Sequence, residues 1–114
     1  TDRKDLLQKI KADKESGLCP TFVLYDVDYD DKRKYLEDTK EIGDICKSNG
    51  VWFHVSLGHK GCLALLDDYK YLTQDINNTF DSLTIEPNYY LETSFHSSLL
   101  WVKKRDRVKQ GIYN

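Results

Sequence analysis

The stretch that most limits how this chain can fold is Val-Trp-Phe-His-Val-Ser-Leu at residues 51–57. Asn49-Gly50 precedes it and Gly58 follows it, so turn formers bracket a run of β-branched and aromatic residues. On a strand, successive side chains point to opposite faces. Phe53, Val55 and Leu57 then face a core, while His54 and Ser56 face the other way, with Trp52 on their side. A strand built so must sit in a sheet with one face packed against other elements.

The flanking segments supply those elements. Residues 2–15 place Leu6, Leu7 and Ile10 on one side of a charged segment and predict an amphipathic helix, stopped by Ser16-Gly17. Residues 21–27 (TFVLYDV) predict a strand, and residues 31–48 a helix with Tyr35, Leu36, Ile42, Ile45 and Cys46 as its apolar stripe. Gly50 suits a left-handed C-terminal position after that helix. Beyond the turn at 58–61, a third strand is expected over 62–66 and a further helix from Asp67 or Asp68 to Phe80. Weaker strands at 84–85 and 89–92 and a final strand over 94–103 complete the chain before a polar tail. The expectation is a single α+β domain over residues 1–114, in two pseudo-symmetric lobes with antiparallel strands lining a central cleft and helices outside.

The feature with chemical content is a repeat. Residues 53–57 read Phe-His-Val-Ser-Leu and residues 95–99 read Phe-His-Ser-Ser-Leu, using two of the three histidines in the chain. Ser and Thr occupy 14 of 114 positions, so chance puts one of them two places beyond a given His about one time in eight. Two occurrences with the same flanks point beyond chance. Were the two strands side by side, His54, Ser56, His96 and Ser98 would line one cleft. One neutral imidazole could then take a proton and one protonated imidazole give one. The two hydroxyls could donate to phosphate oxygens as charge builds there.

Paired His-x-Ser/Thr motifs of this kind resemble the signature of the 2H phosphoesterase superfamily, whose members fold as two pseudo-symmetric lobes about a cleft. The resemblance makes His54 and Ser56 the first motif and His96 and Ser98 the second. It departs from the family in the short interval of 42 residues between the motifs and in polar Ser97 within the second. Among members of that superfamily the chain is most similar to the viral 2′,5′-phosphodiesterase domains of rotavirus capping enzymes and torovirus replicase polyproteins. What the resemblance implies is metal-independent cleavage of short 2′-5′-linked oligoadenylates, without a cofactor. It also implies a host cytosolic setting and antagonism of an antiviral ribonuclease. The alternatives are a 2H phosphodiesterase acting on cyclic phosphates or RNA ends, and a non-catalytic interaction domain.

Further candidates surround the motifs. Trp52 alternates with His54 and could stack on a base, and Tyr89 and Tyr90 beside Pro87 could wall it. Lys60 in the turn after the first motif and Lys103 after the second could meet phosphate. Asp26 and Asp28 resemble the paired acids of a two-metal site, but no partner acid on a later strand accompanies them. A net charge of −2 gives no basic field for long nucleic acids. Cys19, Cys46 and Cys62 have no zinc-like spacing and are expected as reduced thiols, and no apolar run reaches the length of a membrane span. The sequence holds no methionine, which suggests a domain taken from a longer protein.

Overall fold

The computed structural model describes residues 3–27, 34–70, 78–88, 91 and 97–103. Helix α1 (Arg3–Glu15) leads to strand β1 (Phe22–Asp26), helix α2 (Lys34–Asn49) and strand β2 (Trp52–Ser56). Two 3-10 helices follow, His59–Leu65 and Asp67–Tyr69, then strands β3 (Ser82–Ile85) and β4 (Leu99–Val102). The four strands form one sheet in the order β1-β2-β3-β4. β1, β2 and β3 run parallel, with Asp26 beside Ser56 and Ser56 beside Thr84; β4 is antiparallel, with Ile85 beside Leu99. Parallel neighbours need a crossover between them. α2 supplies the first, between β1 and β2.

Both α-helices end as their sequences dictate. After α2, Gly50 adopts φ 72°, the Gly50 amide donates to Lys47 O and the Val51 amide to Cys46 O. After α1, Gly17 at φ 77° does the same with Lys14, while Leu18 donates to Asp13 O. These paired bonds form a Schellman stop, which only a residue at ease with positive φ completes cheaply.

α1, α2 and the first 3-10 helix cover one face of the sheet. Phe53 and Val55 of β2 and Leu57 just after it pack with Ile85, with Ile42 and Cys46 of α2, with Ile10 of α1 and with Cys62. Gly43 in α2 lies so close to the segment leading into β3 that a Cβ there would stand 2.6 Å from the Thr79 carbonyl oxygen. Asp38, on the same helix and nearly fully buried, is met by Arg3 Nε at 3.8 Å, and Arg3 also pairs with Glu41. That cluster ties α1 to α2.

This architecture corrects the two-lobed expectation. Among the described residues there is one sheet, mainly parallel, and β3 lies between β2 and β4, so the strands carrying or following the two His-x-Ser motifs are not neighbours. The strand expected over 62–66 is also replaced, by the 3-10 helix His59–Leu65. The cause is visible in the packing: Gly61 fits so tightly that a Cβ would meet Leu57 Cβ at 2.5 Å, and Cys62 Sγ reaches Glu86 O at 3.6 Å. A short apolar run serves a strand or a buried helical turn equally, and here the two edges of β2 are already taken by β1 and β3. Of the helix expected from Asp67 to Phe80, residues 67–69 form a 3-10 turn and 71–77 lie outside the described residues.

Candidate functional site

The face of the sheet opposite the core is polar at its centre. Alternation along each strand and the parallel register bring together Phe22, Leu24 and Asp26 of β1, Trp52, His54 and Ser56 of β2, and Ser82 and Thr84 of β3. Among the described residues no helix packs over it, and Phe22 and Leu24 are 56% and 60% exposed. In open sheets with parallel strands, ligands lie outside the carboxyl ends of the strands. Here those ends present Asp26, Ser56, Thr84 and, just beyond, Glu86.

His54 is the hub of this face. Its Nδ1 lies 2.6 Å from Ser82 Oγ and its Nε2 lies 3.1 Å from Thr84 Oγ1. Trp52 Nε1 donates to the same Ser82 Oγ at 2.9 Å. Burial pushes the His54 pKa below its ordinary value, which favours the neutral ring. With Ser82 Oγ accepting from Trp52, its own proton is free to donate to Nδ1, and Nε2–H then donates to Thr84. This is a one-way chain, Trp52 to Ser82 to His54 to Thr84. Phe22 stacks on the imidazole at 5.9 Å between centroids and 22° between planes. The ring is thereby held in plane, as a flat platform between hydroxyls.

The sequence-derived candidates distribute unevenly about this hub. His54, Ser56 and Trp52 share the face. Ser98 is exposed just before β4, whereas His96, Tyr89 and Tyr90 lie outside the described residues. Lys60 sits on the 3-10 helix that packs against the core face. Lys103 lies at the opposite end of the parallel strands: its amide donates to Asp81 O, and its ammonium stands 4.9 Å from the Phe80 ring centroid. Sequence reading misses Ser82, Thr84 and Phe22 as residues of this site and weighs Asp26 only as a metal-binding acid beside Asp28, although alternation in Ser-Leu-Thr-Ile and Phe-Val-Leu-Tyr-Asp places them. Among the described residues no group of His, Cys, Asp and Glu is arranged to hold a metal ion, and all three cysteines are free thiols.

Comparison with known proteins places this sheet. Residues 2–113 match the pyridoxal-dependent decarboxylase conserved domain. The chain therefore belongs to the pyridoxal-dependent decarboxylase family. It is 30% identical over 107 residues to the aromatic-L-amino-acid decarboxylase of Rattus norvegicus, covering 94% of this chain and 22% of that protein. It is likewise 30% identical over 109 residues to the phenylacetaldehyde synthase of Arabidopsis thaliana, covering 96% and 22%. In fold it resembles the crystal structure of Oryza sativa TDC with PLP, at TM-score 0.76 and 22% identity over 96% of this chain and 22% of that one. Mouse CSAD is similar, at TM-score 0.71 and 22% identity over 93% and 22%. The chain thus spans about a fifth of the length of the curated relatives it matches.

These findings overturn the 2H phosphoesterase reading. With it go the 2′,5′-phosphodiesterase activity, the oligoadenylate partner, the viral setting and both alternatives of cyclic-phosphate cleavage and non-catalytic interaction. The repeat misleads because a hydroxyl two places from a histidine on a strand also serves an ordinary hydrogen-bonded sheet. His54 spends its nitrogens on β3, not on a second motif.

The family implies pyridoxal phosphate, whose protein partners are a lysine that forms a Schiff base and an acid, or an arginine, at the ring nitrogen. Asp26 puts a carboxylate on the polar face. The amine is missing from its described residues. Lys4, Lys9, Lys11 and Lys14 belong to α1, and Lys34, Lys40 and Lys47 to α2, the helices that pack on the other face of the sheet. Lys70 pairs with Asp67 after the second 3-10 helix. The described residues of this face do not fit covalent attachment of the cofactor.

Proposed function

We propose that this chain is the central-sheet segment of an amino-acid decarboxylase-family protein whose ligands are aromatic amino acids, and that the His54 face is the floor of the cleft receiving them. The observation that carries this reading is the platform itself. Phe22, Trp52 and His54 put three rings on one face of the parallel strands that no described helix covers, in a chain that belongs to the decarboxylase family from residue 2 to residue 113. Flat aromatic surfaces favour aromatic ligands through offset stacking, worth about 0.5–1.5 kcal/mol per pair. The names of similar proteins support the substrate class: aromatic-L-amino-acid decarboxylase, tryptophan decarboxylase 2 of Oryza sativa and tyrosine decarboxylase 2 of Narcissus pseudonarcissus.

The test uses the natural protein in its full length, supplied with pyridoxal phosphate and offered phenylalanine, tyrosine, tryptophan and glutamate. Saturable binding of at least one aromatic amino acid, several-fold tighter than glutamate, is expected, with aromatic amine and carbon dioxide as the products to be sought. Equal binding of glutamate, or no binding of any aromatic amino acid, overturns the reading.

A further inference from the structure

We infer that β2 and β3 form a non-covalent floor: neither strand carries a primary amine, and the connections that follow them bring none to the His54 face to anchor a carbonyl cofactor. The inference rests on the decarboxylase-family reading and concerns how the His54 face holds what lies on it.

A Schiff base forms only from a primary amine, and the described residues of the polar face offer none. Its reactive groups are the imidazole of His54, the hydroxyls of Ser56, Ser82 and Thr84 and the carboxylate of Asp26. The absence extends along the chain. From residue 71 to residue 102 there is neither lysine nor arginine, a run that holds all of β3, the connection after it and all of β4. Lys70 and Lys103 bound that run, and neither reaches the face. Lys70 pairs with Asp67, and Lys103 is held at the amino-terminal end of β3 by Asp81 and Phe80. The turn after β2 does hold one lysine, Lys60. Its helix is pinned to the core side by Gly61 and Cys62 against Leu57 and Ile85, which are the residues pointing away from His54.

What the face offers instead is suited to reversible contact. His54 is stacked by Phe22 and bonded at both nitrogens, so it presents a fixed ring face and keeps no lone pair for nucleophilic attack. Ser56, at the end of β2, gives a neutral hydrogen-bonding group where a carboxylate would give a charged one.

The experiment incubates the natural full-length protein with pyridoxal phosphate, reduces it with borohydride, and maps modified lysines by mass spectrometry with and without a competing aromatic amino acid. No stoichiometric, competable adduct is expected on Lys60. An adduct at Lys32, which precedes α2, or on no lysine of this chain, supports the non-covalent floor. In parallel, Lys60→Ala is expected to change aromatic amino-acid binding less than twofold. A stoichiometric adduct on Lys60, or a tenfold loss of binding in that variant, overturns the inference while leaving the decarboxylase-family reading intact. Failure of every aromatic amino acid to bind, whatever is labelled, strikes the reading itself.

Discussion

Phe53 and Val55 on one face of β2, with Leu57 just beyond its end, are no more than 1% exposed, whereas Trp52, His54 and Ser56 on the other are only half-buried. Consecutive residues thus serve two environments. The buried face is closed by α1, α2 and the first 3-10 helix and holds the fold together. The open face spends its polar groups on one another, through Ser82 and Thr84 of the neighbouring strand. The lesson is that the same strand separates stability from recognition by alternation alone, so substitutions one residue apart should differ in kind.

The largest effect is expected on the buried face. Phe53→Ala removes a fully buried ring and leaves a cavity, costing about 3–5 kcal/mol, to be read from denaturant unfolding. Where helix meets sheet, Gly43→Val forces a side chain against the Thr79 backbone and should cost about 1–3 kcal/mol as overpacking, plus strain the backbone cannot relieve. On the open face, His54→Phe keeps a ring but takes one partner from buried Ser82, which still accepts from Trp52, and one from half-buried Thr84. A loss of about 1 kcal/mol is expected, together with a marked loss of aromatic amino-acid binding. A His54 variant as damaging to stability as Phe53→Ala would erase the contrast between the faces.

The smallest effect is the pH dependence of that same imidazole. Burial holds the folded-state pKa of His54 below its ordinary value of 6.5. The unfolded chain therefore takes up the proton first as pH falls. Stability from this group is fully present above 6.5 and declines as pH drops from there through the depressed value. The stability difference between the natural protein and His54→Phe should accordingly shrink in mildly acid solution and stay constant above neutrality. A difference that grows toward acid pH would mean the imidazole is held charged.

Much of this contrast is legible in the sequence. The alternation at 51–57, the strand over 21–27, the helix between them and the glycine stops at 17 and 50 all follow from local rules, and the structure shows them. The partner of His54 is not legible. Pairing a strand with its neighbour is a long-range event, and two similar motifs invite the belief that they pair with each other, whereas β3 intervenes. Ser82-Leu83-Thr84-Ile85 is too short to stand out, and its hydroxyls gain meaning only when the parallel register places them beside His54 and Ser56. The run 62–66 misleads for a related reason, since an apolar segment does not declare whether its packing surface is a strand edge or a sheet face. The family itself is hidden because its characteristic chemistry needs an amine, and no lysine stands on the four described strands.

The most direct test follows the assigned side-chain resonances of His54 in the natural full-length protein while pyridoxal phosphate and then an aromatic amino acid are titrated in. The non-covalent floor predicts saturable shifts at His54 that vanish on dialysis, with the imidazole neutral throughout. A His54 signal indifferent to both ligands, or a shift that persists after dialysis together with a borohydride-trapped adduct on Lys60, would contradict it.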